Sequence, residues 1–196
     1  MEQIVLLNDE GEAVGVAPKA SGHGRNTPLH LAFSCYVFNP AGEFLVTRRA
    51  WSKQTWPGIW TNSCCGHPAP DEALDTAVHR RLGLELGLSA EPACLVVADF
   101  RYQARMANDV MENEICPIFR AVVDLDPVPN PEEVAEHYWV AWDEFLGRVT
   151  RGAFPVSPWC FLQLKRLEAL GPNPLDWPGA DPAALPPAAR LATMIG

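Results

Sequence analysis

The sequence predicts an α/β (α+β) fold, a mixed β-sheet sandwiched between helices, over residues 1–170, followed by a proline-rich tail over 171–196. Three observations predict it. Short apolar runs recur in pairs across turn residues, one mid-chain segment has apolar residues at helical spacing, and helix-like segments follow the last strand-like run. A chain of 196 residues is within the range of one domain and can bury a substantial core without staples.

QIVLLND and AVGVAP, joined by the turn-rich NDEGE, have the pattern of a hairpin. The polar ASGHGRNTP reads as a functional loop rather than a core element. LAFSCYVFN and EFLVTRRA, joined by PAG, form a second expected hairpin, and a loop rich in tryptophan and glycine follows. From Asp71 to Leu86, the residues Leu74, Ala77, Val78, Leu82 and Leu86 recur at helical spacing, and Gly87 is placed to end the helix. ACLVVADFRYQA and ENEICPIFRAVVDL each read as a strand, linked by RMANDVM, with Pro117 marking an edge or a bulge. HYWVAW is a further strand, DEFLGRV a short helix and SPWCFLQLKRLEAL an amphipathic helix. Beyond Gly171 the segment carries six prolines across residues 172–187. That composition predicts an extended or disordered tail, with Trp177 and Leu175 able to dock on the body.

Composition bounds the function. Six cysteines contain no C-x-x-C pair, and adjacent Cys64 and Cys65 are poorly placed to bridge each other, so the chain reads as reduced and intracellular. No secretory pattern opens it and no apolar run approaches the ~20 residues of a membrane span, so the expected location is cytoplasmic. A net charge of -9 argues against a general nucleic-acid binder, because neutralising phosphates needs a broad basic surface. A small anionic ligand remains compatible if cations gather locally.

The most specific pattern is GHPAPDEALDTAVHRRLGLELGL, residues 66–88. It resembles the Nudix box: Gly66, Glu72, Arg80, Leu82, Glu85, Gly87 and Leu88 match in register. Arg81 and Leu84 stand where that box has glutamates, so Glu85 alone remains of the block's three carboxylates. A Nudix hydrolase uses such a cluster to hold several Mg²⁺ ions and activate water. The resemblance therefore implies a Nudix fold with altered chemistry. Within that superfamily the chain resembles the type 1 isopentenyl-diphosphate isomerases, through LHLAFS (29–34), LVTRRA (45–50), WPGIWTNSCCGHP (56–68), DFRY (99–102), ENEICP (112–117) and SPW (157–159). The similarity runs from about Ile4 to Leu170. It implies interconversion of isopentenyl and dimethylallyl diphosphates by protonation and deprotonation through a carbocation, feeding isoprenoid biosynthesis. A Nudix-type diphosphate hydrolase and a catalytically silent Nudix-fold binding module are the competing readings.

The residue chemistry is compatible with that implication. Imidazoles of His23, His30 and His67 suit transition metals, and Glu112 and Glu114, two apart in a strand, project to one face. Taken alone, such histidines are more often surface or hydrogen-bonded residues, and such glutamates a solvated face. The resemblance makes all five ligands of one divalent ion, Zn²⁺, Mn²⁺ or Mg²⁺. Glu85 is four residues from Arg81, the spacing of an ordinary ion pair, whereas the resemblance has it hold a Mg²⁺ bound with the substrate diphosphate. The same similarity makes Lys19, Arg49, Lys53 and Arg81 diphosphate contacts, a task suited to guanidinium forks and ammonium charges.

If NSCCGHP is extended, Cys64 and Cys65 face opposite sides and only Cys65 shares parity with His67. The resemblance independently selects Cys65 as an acid/base. It makes Glu114 the second proton-transfer group, tuned by Tyr102, and Trp159 the aromatic face for a tertiary carbocation. Trp56 and Trp60 are candidates for closing the pocket or for the core. Cys35, Cys94, Cys116 and Cys160 read as packing residues, and His79 and His137 carry no expected role.

Overall fold

Strand alternation and three places where a strand breaks and passes from one sheet to the other, at residues 32, 98–100 and 116–117, build the scaffold. The computed structural model describes residues 2–22, 24–89 and 93–190. The chain runs through β1 (Gln3–Leu7), β2 (Ala13–Pro18), α1 (Lys19–Gly22), β3 (His30–Leu31), β4 (Phe33–Phe38), β5 (Glu43–Arg49), β6 (Trp60–Thr61), β7 (Cys64–Gly66) and α2 (Leu74–Leu86). It continues through β8 (Cys94–Val97), β9 (Arg101–Arg105), β10 (Met111–Ile115), β11 (Ile118–Val122), β12 (Val134–Ala141), α3 (Trp142–Thr150), α4 (Pro158–Glu168), two 3-10 turns at Pro174–Asp176 and Pro182–Ala184, and α5 (Pro187–Arg190).

The mixed α/β character is as expected, but the strands divide between two sheets. One has the order β2-β1-β3-β10-β9; the other has β12-β5-β4-β11-β8, with β6 beside β5 and β7 beside β4. Each segment expected as one long strand breaks in two. Residues 93–104 separate into β8 and β9, and residues 112–125 separate at Cys116–Pro117 into β10 and β11, so each pair serves both sheets. Proline cannot donate to a ladder, which is why a sheet change is tolerated at Pro117. Its carbonyl still accepts the Ser34 N–H at 3.0 Å.

The second expected hairpin also differs. β4 and β5 pair at Phe38 and Phe44 and then splay, and the returning segment fills the gap, β7 on β4 and β6 on β5. Side chains of β4 alternate between two cores: Phe33, Cys35 and Val37 face the α2 side, while Tyr36 and Phe38 face α3 and α4. The larger sheet is thus covered by helix on both faces.

α2 buries Leu74, Ala77, Val78, Leu82 and Leu86, the periodic residues of the sequence. It starts three residues later than Asp71, because Asp71 has a left-handed φ of 64° and Ala73 is extended. It ends at Gly87, whose φ of 64° allows its N–H to bond the Gly83 carbonyl. α4 begins at a Ser157 cap accepting the Cys160 N–H.

The tail expected to be extended or disordered is packed over its described part. Trp177 is 3% exposed and sits edge-on to Phe38 and Trp142 at ring distances of 5.5 and 5.3 Å. Arg120 Nη1 donates to the carbonyls of Pro174, Leu175 and Trp177 at 2.8, 2.7 and 3.3 Å, clamping the backbone that proline leaves without a ladder. Residues 191–196 lie outside the described residues. No described helix is long and apolar enough to cross a membrane. Trp177→Ala is expected to destabilise the fold by about 3–5 kcal/mol, the loss typical of a large buried aromatic. Urea unfolding checks this; an unchanged midpoint would show that the tail contributes nothing to the core.

Candidate active site

The splayed hairpin places β7 at the mouth of a cavity of about 440 Å³. Alternation along β7 does the sorting. Cys64 is 2% exposed within the α2-side core, whereas Cys65 is partly buried and faces the cavity with His67. Between them Gly66 must stay small, since a Cβ there would come within 2.8 Å of Arg81 Cγ and 2.9 Å of Phe33 Cζ.

β3 and β10 run parallel, with His30 in register with Glu114. That pairing brings His30 Nε2, His67 Nε2 and Glu114 Oε1 together: the nitrogens are 3.2 Å apart and lie 3.4 and 3.3 Å from the carboxylate oxygen. His30 Nδ1 lies 2.9 Å from the Pro28 carbonyl, which can accept its hydrogen and leave Nε2 for the cluster. Two imidazole nitrogens and a carboxylate oxygen this close form a donor set fit for a shared proton or a divalent cation. Glu112 lines the same cavity from the same strand face, and His23 lies outside the described residues. Burial opposes ionisation of Glu114, but its contacts with His30 and His67 outweigh burial and hold its pKa well below the usual carboxylate range. For His67 burial wins, lowering its pKa to about 3. For His30 burial is outweighed by Glu114, and its pKa is raised. Glu114 Oε2 accepts the Tyr102 hydroxyl at 2.8 Å.

The cations Lys19, Arg49, Lys53 and Arg81 share the cavity lining. Each is already engaged: Lys19 pairs with Glu2 at 2.6 Å, Lys53 with Glu133, and Arg81 with Glu85 at 2.5 Å, Glu133 at 3.2 Å and Glu2 at 3.3 Å. Arg49 donates to the Thr55 carbonyl and hydroxyl and lies 5.7 Å from the Trp159 ring centre. Glu85 therefore does make the i,i+4 pair its spacing allows. Burial nevertheless pushes its pKa up against the pull of Arg81, leaving a carboxylate that further positive charge would stabilise. Arg48 turns away to pair with Glu136.

Cys65 Sγ has two polar neighbours. It donates to Asn62 Oδ1 at 3.1 Å, and Ser34 Oγ lies 3.5 Å away. Ser34 accepts Gln163 Nε2 at 2.9 Å, and Tyr36 in turn donates to Gln163 Oε1 at 2.9 Å. Burial pushes the Cys65 pKa up to about 11 despite these bonds and the Arg49 charge, so the resting group is a thiol. Trp159 and Tyr102 line the same space, their ring centres 6.1 Å apart.

Trp56 packs edge-on behind Trp159 at 5.4 Å and Trp60 stacks near Tyr138 and Phe154, so both belong to the aromatic core beside the cavity. Cys35, Cys116 and Cys160 are buried, Cys94 is partly so, and all six cysteines are free. His79 is half-buried on α2 and His137 exposed on β12. Sequence reasoning missed Glu2, Glu133, Ser34 and Asn62. Nothing local marks the first two; their signal is pairing with cations distant in the chain. Ser34 and Asn62 lie inside the quoted LHLAFS and NSCCGHP stretches, but only their burial among cavity residues distinguishes them.

A NUDIX domain model matches residues 28–160. An isopentenyl-diphosphate Delta-isomerase of Saccharopolyspora erythraea is 57% identical over 192 residues, covering 98% of this chain and 99% of that protein. Proteins of the same name from Clavibacter sepedonicus and Rhizobium rhizogenes are 56% identical over 85% of this chain and 87% of that protein, and 48% identical over 96% and 91%. Among solved structures, DR0079 from Deinococcus radiodurans superposes with a TM-score of 0.63 at 18% identity, covering 84% of this chain and 98% of that one. The MutT protein from Methanosarcina mazei Go1 gives 0.56 at 23% identity, over 71% and 94%. These two establish the fold alone. Through its NUDIX domain and its near full-length relatives, the chain belongs to the isopentenyl-diphosphate Delta-isomerase family of the Nudix superfamily.

Proposed function

We propose that this chain interconverts isopentenyl and dimethylallyl diphosphates, a proton-transfer isomerisation that supplies isoprenoid biosynthesis. One observation carries the reading: Cys65, Glu114 and Trp159 line one cavity together with the cations Lys19, Arg49, Lys53 and Arg81. The reaction adds a proton to the terminal alkene carbon, forms a tertiary cation at the branched carbon, and removes a proton from the carbon beyond. Two proton-transfer groups and an aromatic face are its minimum equipment.

Cys65 and Glu114 form the proton-transfer pair. At rest Cys65 holds its proton and Glu114 is ionised. Because the interconversion is reversible, each group gives a proton in one direction and receives it in the other. Tyr102 donates to Glu114 Oε2 while Oε1 lies beside His30 and His67, which holds the carboxylate in one orientation. Trp159 presents its π face to the cation, and the surrounding aromatic wall keeps out the water that would trap it. Lys19, Arg49, Lys53 and Arg81 bind the diphosphate, sharing their charge with the Glu2 and Glu133 carboxylates. The reacting carbons are thereby placed against Cys65, Glu114 and Trp159.

His30, His67 and Glu114, with Glu112 and His23 completing the set, would hold one divalent ion, Zn²⁺, Mn²⁺ or Mg²⁺; Glu85 would help hold a Mg²⁺ bound with the diphosphate. Their positive charge would offset carboxylate and phosphate charge that burial makes costly. A diphosphate hydrolase is disfavoured, since Arg81 occupies one missing box carboxylate position and Leu84, 55% exposed, the other.

Proton NMR with isopentenyl diphosphate and Mg²⁺ is expected to show dimethylallyl diphosphate with negligible phosphate release; hydrolysis without the allylic product would refute the reading. Cys65→Ala should lower turnover at least ~10²-fold with little change in KM, the lower range for one positioned acid/base, while Cys64→Ala should cost little beyond packing. The reverse pattern in steady-state kinetics would remove Cys65 from the mechanism. His67→Ala should reduce the tightly bound divalent metal measured by elemental analysis and lower turnover. Unchanged stoichiometry would exclude His67 as a ligand.

A further inference from the structure

Cys65 and Trp159 come from β7 and α4, elements almost a hundred residues apart in the chain, yet one carboxamide joins them. Asn62 Oδ1 accepts the Cys65 thiol at 3.1 Å and the Trp159 indole N–H at 2.9 Å. Its orientation is not arbitrary. Asn62 Nδ2 donates to the backbone carbonyls of Cys64 at 2.8 Å and Cys35 at 3.3 Å, which turns the oxygen toward the cavity pair. The side chain is fully buried, so the acceptor has no water to exchange with. Thr61 Oγ1 adds a third donor at 3.0 Å and also pairs with Ser157 Oγ, the cap of α4, at 2.8 Å. The loop carrying the thiol and the helix carrying the indole are thus tied at one oxygen.

We propose that Asn62 is a positioning residue for the isomerisation, setting the spacing between the Cys65 proton and the Trp159 π face so that the cation forms where the ring can stabilise it. The need is geometric. Moving a reacting group by about 1 Å can cost on the order of 10²-fold in rate, and here two groups from separate elements must meet one intermediate. A carboxamide serves both with one atom because its amide hydrogens are anchored on backbone rather than on either partner. When the tie is loosened, a cation formed away from the ring is open to water. Water oxygen then bonds to the branched carbon and loses a proton to solvent, leaving the tertiary alcohol diphosphate in place of the alkene.

The inference rests on the isomerase reading, and one kinetic series separates the two. Asn62→Ala, Trp159→Phe and the double variant are compared with the wild type, with Asn62→Ser substituting if the alanine variant does not fold. Ser63→Ala is the structural control. Ser63 is the neighbouring buried residue, bonded to Val37 N and Leu45 O, and it contacts neither Cys65 nor Trp159 through a hydrogen bond. The expected result is an Asn62 variant with kcat lowered on the order of 10-fold, KM within about 3-fold of wild type, and a detectable tertiary alcohol diphosphate. The double variant should be slower than the wild type by less than the product of the two single effects, as coupled residues behave. Retained kcat, fully multiplicative effects, or an equal kcat loss in Ser63→Ala would overturn the proposal while wild-type turnover stands. An inactive, metal-loaded wild type would overturn the isomerase reading and this inference together.

Discussion

Everything at the site depends on two chain segments crossing side by side from one sheet to the other. β3 and β4 cross at Ala32, β10 and β11 at Cys116–Pro117, and they remain hydrogen-bonded in parallel through the bend by Ala32 N to Ile115 O and Ser34 N to Pro117 O. Parallel register cannot slip by one residue without turning every side chain to the other face. His30 is therefore held level with Glu114, and Ser34 level with Ile118, beside the cavity. The strand break at Pro117 is a structural requirement for this crossing. A single unbroken strand would leave one of the two sheets without the strand that links β9 to β3 or β8 to β4.

The splay of β4 from β5 is the second half of the same design. It opens a slot into which residues 60–66 return, bonded through backbone ladders and through Ser63 and Asn62 side chains to β4 and β5. Polar side chains this deep are tolerated because each finds partners; an unpaired one would cost roughly 1–3 kcal/mol. Ser63 secures the segment's backbone between β4 and β5, while Asn62 alone of the two also bonds the side chains of Cys65 and Trp159.

Electrostatics follow from burial. The chain is acidic overall, at -9, yet Lys19, Lys53 and Arg81 line one cavity, paired with the carboxylates of Glu2, Glu85 and Glu133. Such pairs bring modest net stability, since desolvation opposes their attraction. On the proposed function their value lies in presenting charge to an anionic substrate. Glu85, burdened by burial, and the His30, His67 and Glu114 cluster show the complementary situation, where close ligands gain from an added cation.

Much was legible in the sequence alone. The periodicity of Leu74, Ala77, Val78, Leu82 and Leu86 with Gly87 behind them determined α2, because helix burial and its left-handed stop are local properties. The two-residue period separated Cys65 from Cys64 and aligned Glu112 with Glu114, and box spacing identified the superfamily. The tertiary structure decided the rest. Local periodicity reports which side of its own element a residue faces, and says nothing about what lies opposite. Hence the two-sheet division, the Arg120 clamp that holds the tail whose Trp177 was expected to dock, the capture of Lys53 and Arg81 by Glu133, and the meeting of Cys65 with Trp159 at Asn62 were not legible in it. Each joins residues far apart in the chain through packing, and packing is settled only when all elements are in place.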